Sequence, residues 1–116
     1  MKFLFVLNDA PYGVERPYNA LRLAGALARS EGTSVRVFLM GDAASAARQN
    51  QKVPGGYYNV ENMLGAVVRH HGAVGVCGTC MDARGISADD LADGAERSSL
   101  DDLSRWTLEA DKVLVF

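Results

Sequence analysis

Short, almost wholly apolar runs recur along this chain, and stretches with helical spacing separate them. Lys2-Phe3-Leu4-Phe5-Val6-Leu7 is the first, Val35-Arg36-Val37-Phe38-Leu39-Met40 the second, Ala73-Val74-Gly75-Val76 the third, and Lys112-Val113-Leu114-Val115-Phe116 closes the chain. Each has strand length and lacks the alternation of a sheet wetted on one side, so each reads as a strand covered on both faces. Strands of this kind separated by helices predict an α/β fold: a mostly parallel sheet between two layers of helices. Pro17 suits the first turn of a helix whose apolar face is Ala20, Leu23, Ala24, Leu27 and Ala28, with Gly32 as its stop. Ala43 to Ala47 reads as a short helix with Asp42 as its cap. Asn59 caps a helix that presents Val60, Met63, Leu64, Val67 and Val68 and closes at Gly72. Ser87 and Ser99 read as caps of two further helices with acidic first turns, and Ala95 to Ser98 as a short strand between them. Leu103 and Trp106 are expected to pack the last helix onto the sheet.

A chain of 116 residues fits one domain spanning 1–116, with roughly two-thirds of its unfolded-chain surface buried. Phe3 to Leu7 is too short for the apolar core of a signal peptide, and no segment approaches the ~20 apolar residues of a membrane span. A cytoplasmic protein without a membrane partner is therefore expected. The formal charge of −2 conceals an asymmetry: residues 1–81 carry 8 basic and 5 acidic side chains, residues 82–116 carry 4 and 9. No Lys/Arg cluster or basic-aromatic stripe stands out, which argues against direct nucleic-acid binding. The acidic stretch reads as the solvated side of helices. No phosphate-binding loop, dinucleotide fingerprint or nucleophile elbow occurs, so no cofactor is expected.

In a parallel sheet the loops after the strands converge on one rim, which is where such folds place their chemistry. Asn8-Asp9-Ala10-Pro11-Tyr12-Gly13 follows the first strand, Gly41-Asp42 the second and Cys77 the third. Asn8, Asp9, Tyr12, Gly41 and Asp42 are thus candidate binding residues. Residues 48–58, with Pro54-Gly55-Gly56 beside Tyr57 and Tyr58, break every periodicity and form a loop expected near a subunit contact.

Cys77 and Cys80 are the only cysteines, in Val76-Cys77-Gly78-Thr79-Cys80. Outside oxidising compartments such a pair is reactive or metal-binding rather than a staple. A thiolate attacks sulfane sulfur or a disulfide, and neighbouring cations and backbone N–H groups lower the thiol pKa. Gly78 and Thr79 lack bulk, so their N–H groups are free to turn toward Cys77, and Arg84 is the nearest cation in sequence. Arg84 reads equally as a surface ion-pair partner, and Cys80 either as a resolving thiol or as a small buried hydrophobe. Zinc is disfavoured: a structural site needs a second ligand pair, and adjacent His70 and His71 at a helix end point apart. A thioredoxin-like reductase is disfavoured because no long helix follows the pair.

With these residues on the page, the chain resembles the DsrE/DsrF family, which includes small sulfur-relay subunits of dissimilatory sulfur metabolism and of tRNA thiolation. The resemblance spans nearly the whole chain. It rests on the opening strand into Asn8-Asp9, on Val37-Phe38-Leu39-Met40-Gly41-Asp42, on Val76-Cys77 with Arg84-Gly85-Ile86 beyond, and on the closing Ala110 to Phe116. It implies a three-layer α/β/α fold with about five strands, homo-oligomers built as trimers or hexamers, and sulfur carried as a persulfide between donor and acceptor proteins. The family's relay cysteine sits where Cys77 does. Cys80 departs from the pattern of the tRNA-thiolation subunit. The competing expectation is a non-catalytic oligomeric module that binds a ligand or senses redox state.

Overall fold

A computed structural model describes residues 1–116. The strands are β1 (Lys2–Leu7), β2 (Ser34–Leu39), β3 (Ala73–Cys77), β4 (Ala95–Ser98) and β5 (Lys112–Val115). The helices are α1 (Arg16–Ala28), α2 (Val60–Arg69), α3 (Gly78–Ala83) and α4 (Leu100–Glu109). The sheet has five strands in the order β4-β3-β2-β1-β5, and every pairing is parallel. No helix is long and apolar enough to cross a membrane.

Chain order and handedness together decide which face each helix covers. From β1 to β4 each strand is laid beside the last in one direction, so right-handed crossovers put α1, α2 and α3 on one face. The return from β4 to β5 runs the other way and carries α4 to the opposite face. The two faces are filled unequally. Against α1, α2 and α3 lies a cluster of 19 buried residues that includes Phe5, Leu7, Val37, Leu39, Leu64, Val76 and Met81. Against α4 only Leu4, Val6 and Phe38 are buried, with Leu103, Trp106 and Ala110 packed on them. Leu4 and Phe5 are both inaccessible yet belong to different clusters, as the two-residue period of a strand requires. Trp106 meets Phe38 edge to face, and the Arg36 guanidinium lies 5.2 Å over its indole. Leu103 and Trp106 thus fasten α4 to the sheet as expected.

Several local expectations are corrected. The buried stripe of α1 is Pro17, Ala20, Leu21, Ala24 and Gly25, and Leu23 is 39% exposed. The true stripe runs through Pro17, Leu21 and Ala24, at spacings of four and three, which turns Leu23 to the flank. Residues Gly41–Ala47 form a 3₁₀ helix whose N-cap is Met40, with no side-chain cap; Asp42 lies in its first turn. Ser87 does cap, through a reciprocal bond pair with Asp90, but the element is only a short 3₁₀ turn, Ala88–Asp90. Asn59 accepts from the Asn62 N–H and Ser99 from the Asp102 N–H, as their positions predict.

Candidate functional site

Strand β3 ends on Cys77, and Cys77 is itself the N-cap of α3. The reversal from strand to helix at this residue splits the two thiols between the faces of the sheet. Cys77 packs against the small cluster under α4, and Cys80 against the large one. Both are half-buried free thiols.

Their electrostatics diverge accordingly. Burial pushes the Cys77 thiol up, but bonds from the Cys80 thiol, the Thr79 hydroxyl and the N–H groups of Cys80 and Thr79 outweigh it, so the Cys77 pKa falls below its ordinary value. The Thr79 Oγ1 is 3.3 Å from the Cys77 sulfur. Cys80 moves the other way: burial raises its pKa first, then its bond to Cys77 and the repulsion of the Cys77 charge, against relief from the Gly41 N–H and Arg84. That Gly41 N–H donates to the Cys80 sulfur at 3.1 Å. A chain of donors therefore runs from Gly41 through Cys80 to Cys77 and favours the charged form at the Cys77 sulfur.

The predicted residues divide into those the structure brings to this pair and those it does not. Gly41, Gly78 and Thr79 stand at the two thiols. Arg84 donates through Nη1 to the Cys80 carbonyl at 3.1 Å and through Nη2 to Asp42 at 2.8 Å. It thus serves Cys80 and ties α3 to the 3₁₀ helix, and Asp42 is its anchor. Asn8, Asp9 and Tyr12 are engaged elsewhere. Asn8 bonds the Phe116 carbonyl, Asp9 pairs with Arg16, and the Tyr12 hydroxyl donates to Gln51 and accepts from the Val60 N–H. Tyr12 also stacks on Tyr58, which stacks on Tyr18, so the 48–58 loop is pinned by aromatic packing.

A second cation, one that sequence proximity does not suggest, shares a cleft with Cys77. Arg97 arrives from β4, where it lies opposite Val76 of β3, and makes two bonds to Asp82 at 2.8 and 3.0 Å. Arg97 and Cys77 line a cleft of about 520 Å³ whose apolar walls are Phe38, Met40, Leu100 and Leu103. Its remaining polar side chains are already occupied: Ser98 donates to Asp102, and Ser99 accepts from the Asp102 N–H. Cys77, Thr79, Cys80 and Arg97 thus share one side of a cleft whose other walls are mainly apolar. A larger cavity, about 610 Å³, lies over α1 and α2 and contains no thiol.

Comparison with known proteins bears on the family and the fold. The model of the DsrE/DsrF-like family matches residues 1–116. Protein YchN of Escherichia coli is 47% identical over 116 residues, covering 99% of this chain and 98% of its own. The uncharacterized protein MJ0989 of Methanocaldococcus jannaschii is 37% identical over the full length of both chains. The crystal structure of the E. coli ychN protein superposes with a TM-score of 0.94, covering 100% of this chain and 99% of that one. MTH1491 of Methanobacterium thermoautotrophicum shares the fold at a TM-score of 0.76 and 14% identity, covering 99% of this chain and 98% of that one.

Proposed function

Because the chain belongs to the DsrE/DsrF-like family, we propose that it is a sulfur carrier that holds sulfane sulfur as a persulfide on Cys77 and passes it to a partner protein. The observation that carries this reading is the lowered pKa of Cys77 at the base of an apolar cleft, where thiolate and access coincide. In loading, the Cys77 thiolate attacks the outer sulfur of a donor persulfide, R–S–SH. The new S–S bond forms as the donor's own S–S bond breaks, leaving Cys77–S–SH and R–S⁻. In discharge, an acceptor thiolate attacks that outer sulfur and Cys77 departs as its thiolate. Neither step changes the total oxidation state, so no external oxidant is required. The groups that stabilise the resting thiolate also stabilise it as a leaving group, which favours both directions. Cys80, held protonated, donates its S–H to Cys77 and guards the site without competing as a nucleophile.

The setting proposed is the cytoplasm, with donor and acceptor proteins as partners and a homo-oligomer, trimer or hexamer, as the working unit. Leu100, Leu108, Val113 and Val115 are exposed apolar side chains that assembly would cover. Light scattering should return a multiple of 12.4 kDa. The deciding experiment incubates the reduced protein with a sulfane-sulfur donor and reads mass and site by mass spectrometry. One added sulfur on Cys77 is expected. Repeated absence of any added sulfur, with both thiols free and reduced, rejects the carrier reading.

A second reading is supported by the mutual influence of the two thiols, three residues apart: a redox module in which Cys77 and Cys80 close a disulfide. The same mass measurement separates the two, since oxidation removes two hydrogens and loading adds one sulfur.

A further inference from the structure

The space beside Gly78 is taken by a neighbouring side chain, not by a special backbone conformation of its own. Its φ is not among the positive values in this chain. A Cβ built there falls 2.8 Å from Arg97 Cζ and Nε and 2.9 Å from Nη2, well inside contact distance. The guanidinium of Arg97 thus lies directly on the Gly78 backbone. The same side chain is locked by the two parallel bonds to Asp82, four residues further along α3. Such fork-to-fork pairing fixes direction as well as distance, which a lysine cannot reproduce. One side chain from β4 therefore grips α3 at its first residue and one turn on. Thr79 and Cys80, which supply the side-chain and backbone donors to the Cys77 sulfur, lie between those two points. The Cys77 charge acts back on the brace: Arg97 is held above its ordinary pKa first by its bonds to Asp82 and the Asp82 charge, and also by Cys77.

We propose that Arg97 is a positioning residue for the Cys77 thiolate: seated on Gly78 and braced by Asp82, it holds the first turn of α3 so that its donors aim at the Cys77 sulfur. The inference rests on Cys77 being the reactive thiol and adds the device that keeps it so. It accounts for the glycine after the first cysteine and assigns a role to an arginine far from the pair in sequence.

The test follows iodoacetamide alkylation of Cys77 against pH, resolved by site with mass spectrometry, in the full-length chain. Arg97→Gln removes the brace, Asp82→Ala removes its anchor, and Gly78→Ala displaces the guanidinium without removing any charged group. Each should move the profile to higher pH and slow alkylation at pH 7 by about threefold, the equivalent of half a pKa unit. Arg97→Lys should behave like Arg97→Gln. The double variant Arg97→Gln/Asp82→Ala should be no slower than Arg97→Gln alone, because both changes cut one link. Asp82 is an exposed carboxylate, so its variant keeps the test valid if another fails to fold. Profiles that stay at the wild-type position overturn the proposal. So does a wild-type profile in Arg97→Lys with a silent Gly78→Ala, which would leave only the charge of Arg97 at work. Sulfur loading is scored separately, so a normal thiolate that takes up no sulfur counts against the carrier reading and not against the brace.

Discussion

The two faces of the sheet are built to different standards, and each holds one cysteine. The face under α1, α2 and α3 buries 19 residues, whereas the face under α4 buries 3. Cys80 sits with the first and is kept a neutral thiol; Cys77 sits with the second and is drawn toward its anion. Two identical side chains three positions apart thus acquire opposite properties from their hydrogen bonds: Cys77 accepts from Thr79 and Cys80, while Cys80 donates to Cys77 and faces its charge. A thick face stabilises, and a thin one leaves a cleft open to a partner.

The largest expected effect is chemical. Cys77→Ala should abolish sulfur loading, whereas Cys80→Ala should leave loading in place and shorten the lifetime of the persulfide. Intact mass spectra over time measure both. If Cys80→Ala prevents loading while Cys77→Ala does not, the comparison is inverted. Next comes stability. Phe5→Ala opens a cavity in the thick face and should cost about 3–5 kcal/mol, whereas Leu103→Ala, at a half-buried site on the thin one, should cost about 1–2 kcal/mol. Urea unfolding followed by tryptophan fluorescence reads both, and equal losses would show the faces to be equivalent. A smaller effect concerns coupling: Cys80→Ala removes a donor from Cys77 and should slow its alkylation at neutral pH about threefold.

The smallest effect is on stability against pH. The Cys77 pKa is lowered on folding, so its contribution is complete above the unfolded value and is lost as pH falls through the folded one. The Cys80 pKa is raised, so its contribution is present below the unfolded value and is lost as pH rises through the folded one. The two together predict a shallow maximum near the ordinary thiol value, ~8.5. Cys77→Ser should flatten the rising limb and Cys80→Ala the falling one. Thermal melts across pH 6.5 to 10 check this, and a monotonic curve would contradict the paired shifts.

What was readable in advance follows how local its cause is. The strands declared themselves because burial on both faces demands unbroken apolar runs, and Asn59 and Ser99 were readable as caps because a cap acts within three residues. Cys77 at the end of β3 was readable for the same reason. Arg97 was not: it reaches Cys77 only through the register that sets it opposite Val76. Asp42 looked like a cap because its partner, Arg84, lies 42 residues away. Tyr12 pointed toward the rim by position, yet stacking with Tyr58 and its bond to Gln51 claimed it for the loop. The one signal within reach for Arg97 was Gly78, a glycine whose place after a strand has no turn to explain it.

The position of β5 has a consequence in time. It pairs only with β1, and bonds along its flanks join Lys2 to Asp111 and Asn8 to Phe116. Contacts between the opposite ends of a chain close the longest loop available and form slowly. The sheet is therefore expected to be completed late in folding, after β1 to β4 have assembled on α1 and α2. α4 docks on Leu4 and Phe38 as part of that return, so the thiol of Cys77 is present before the wall that shelters it. A nascent chain paused at this stage would offer an unprotected thiol, and a faster return of α4 and β5 would shorten its exposure to stray oxidants.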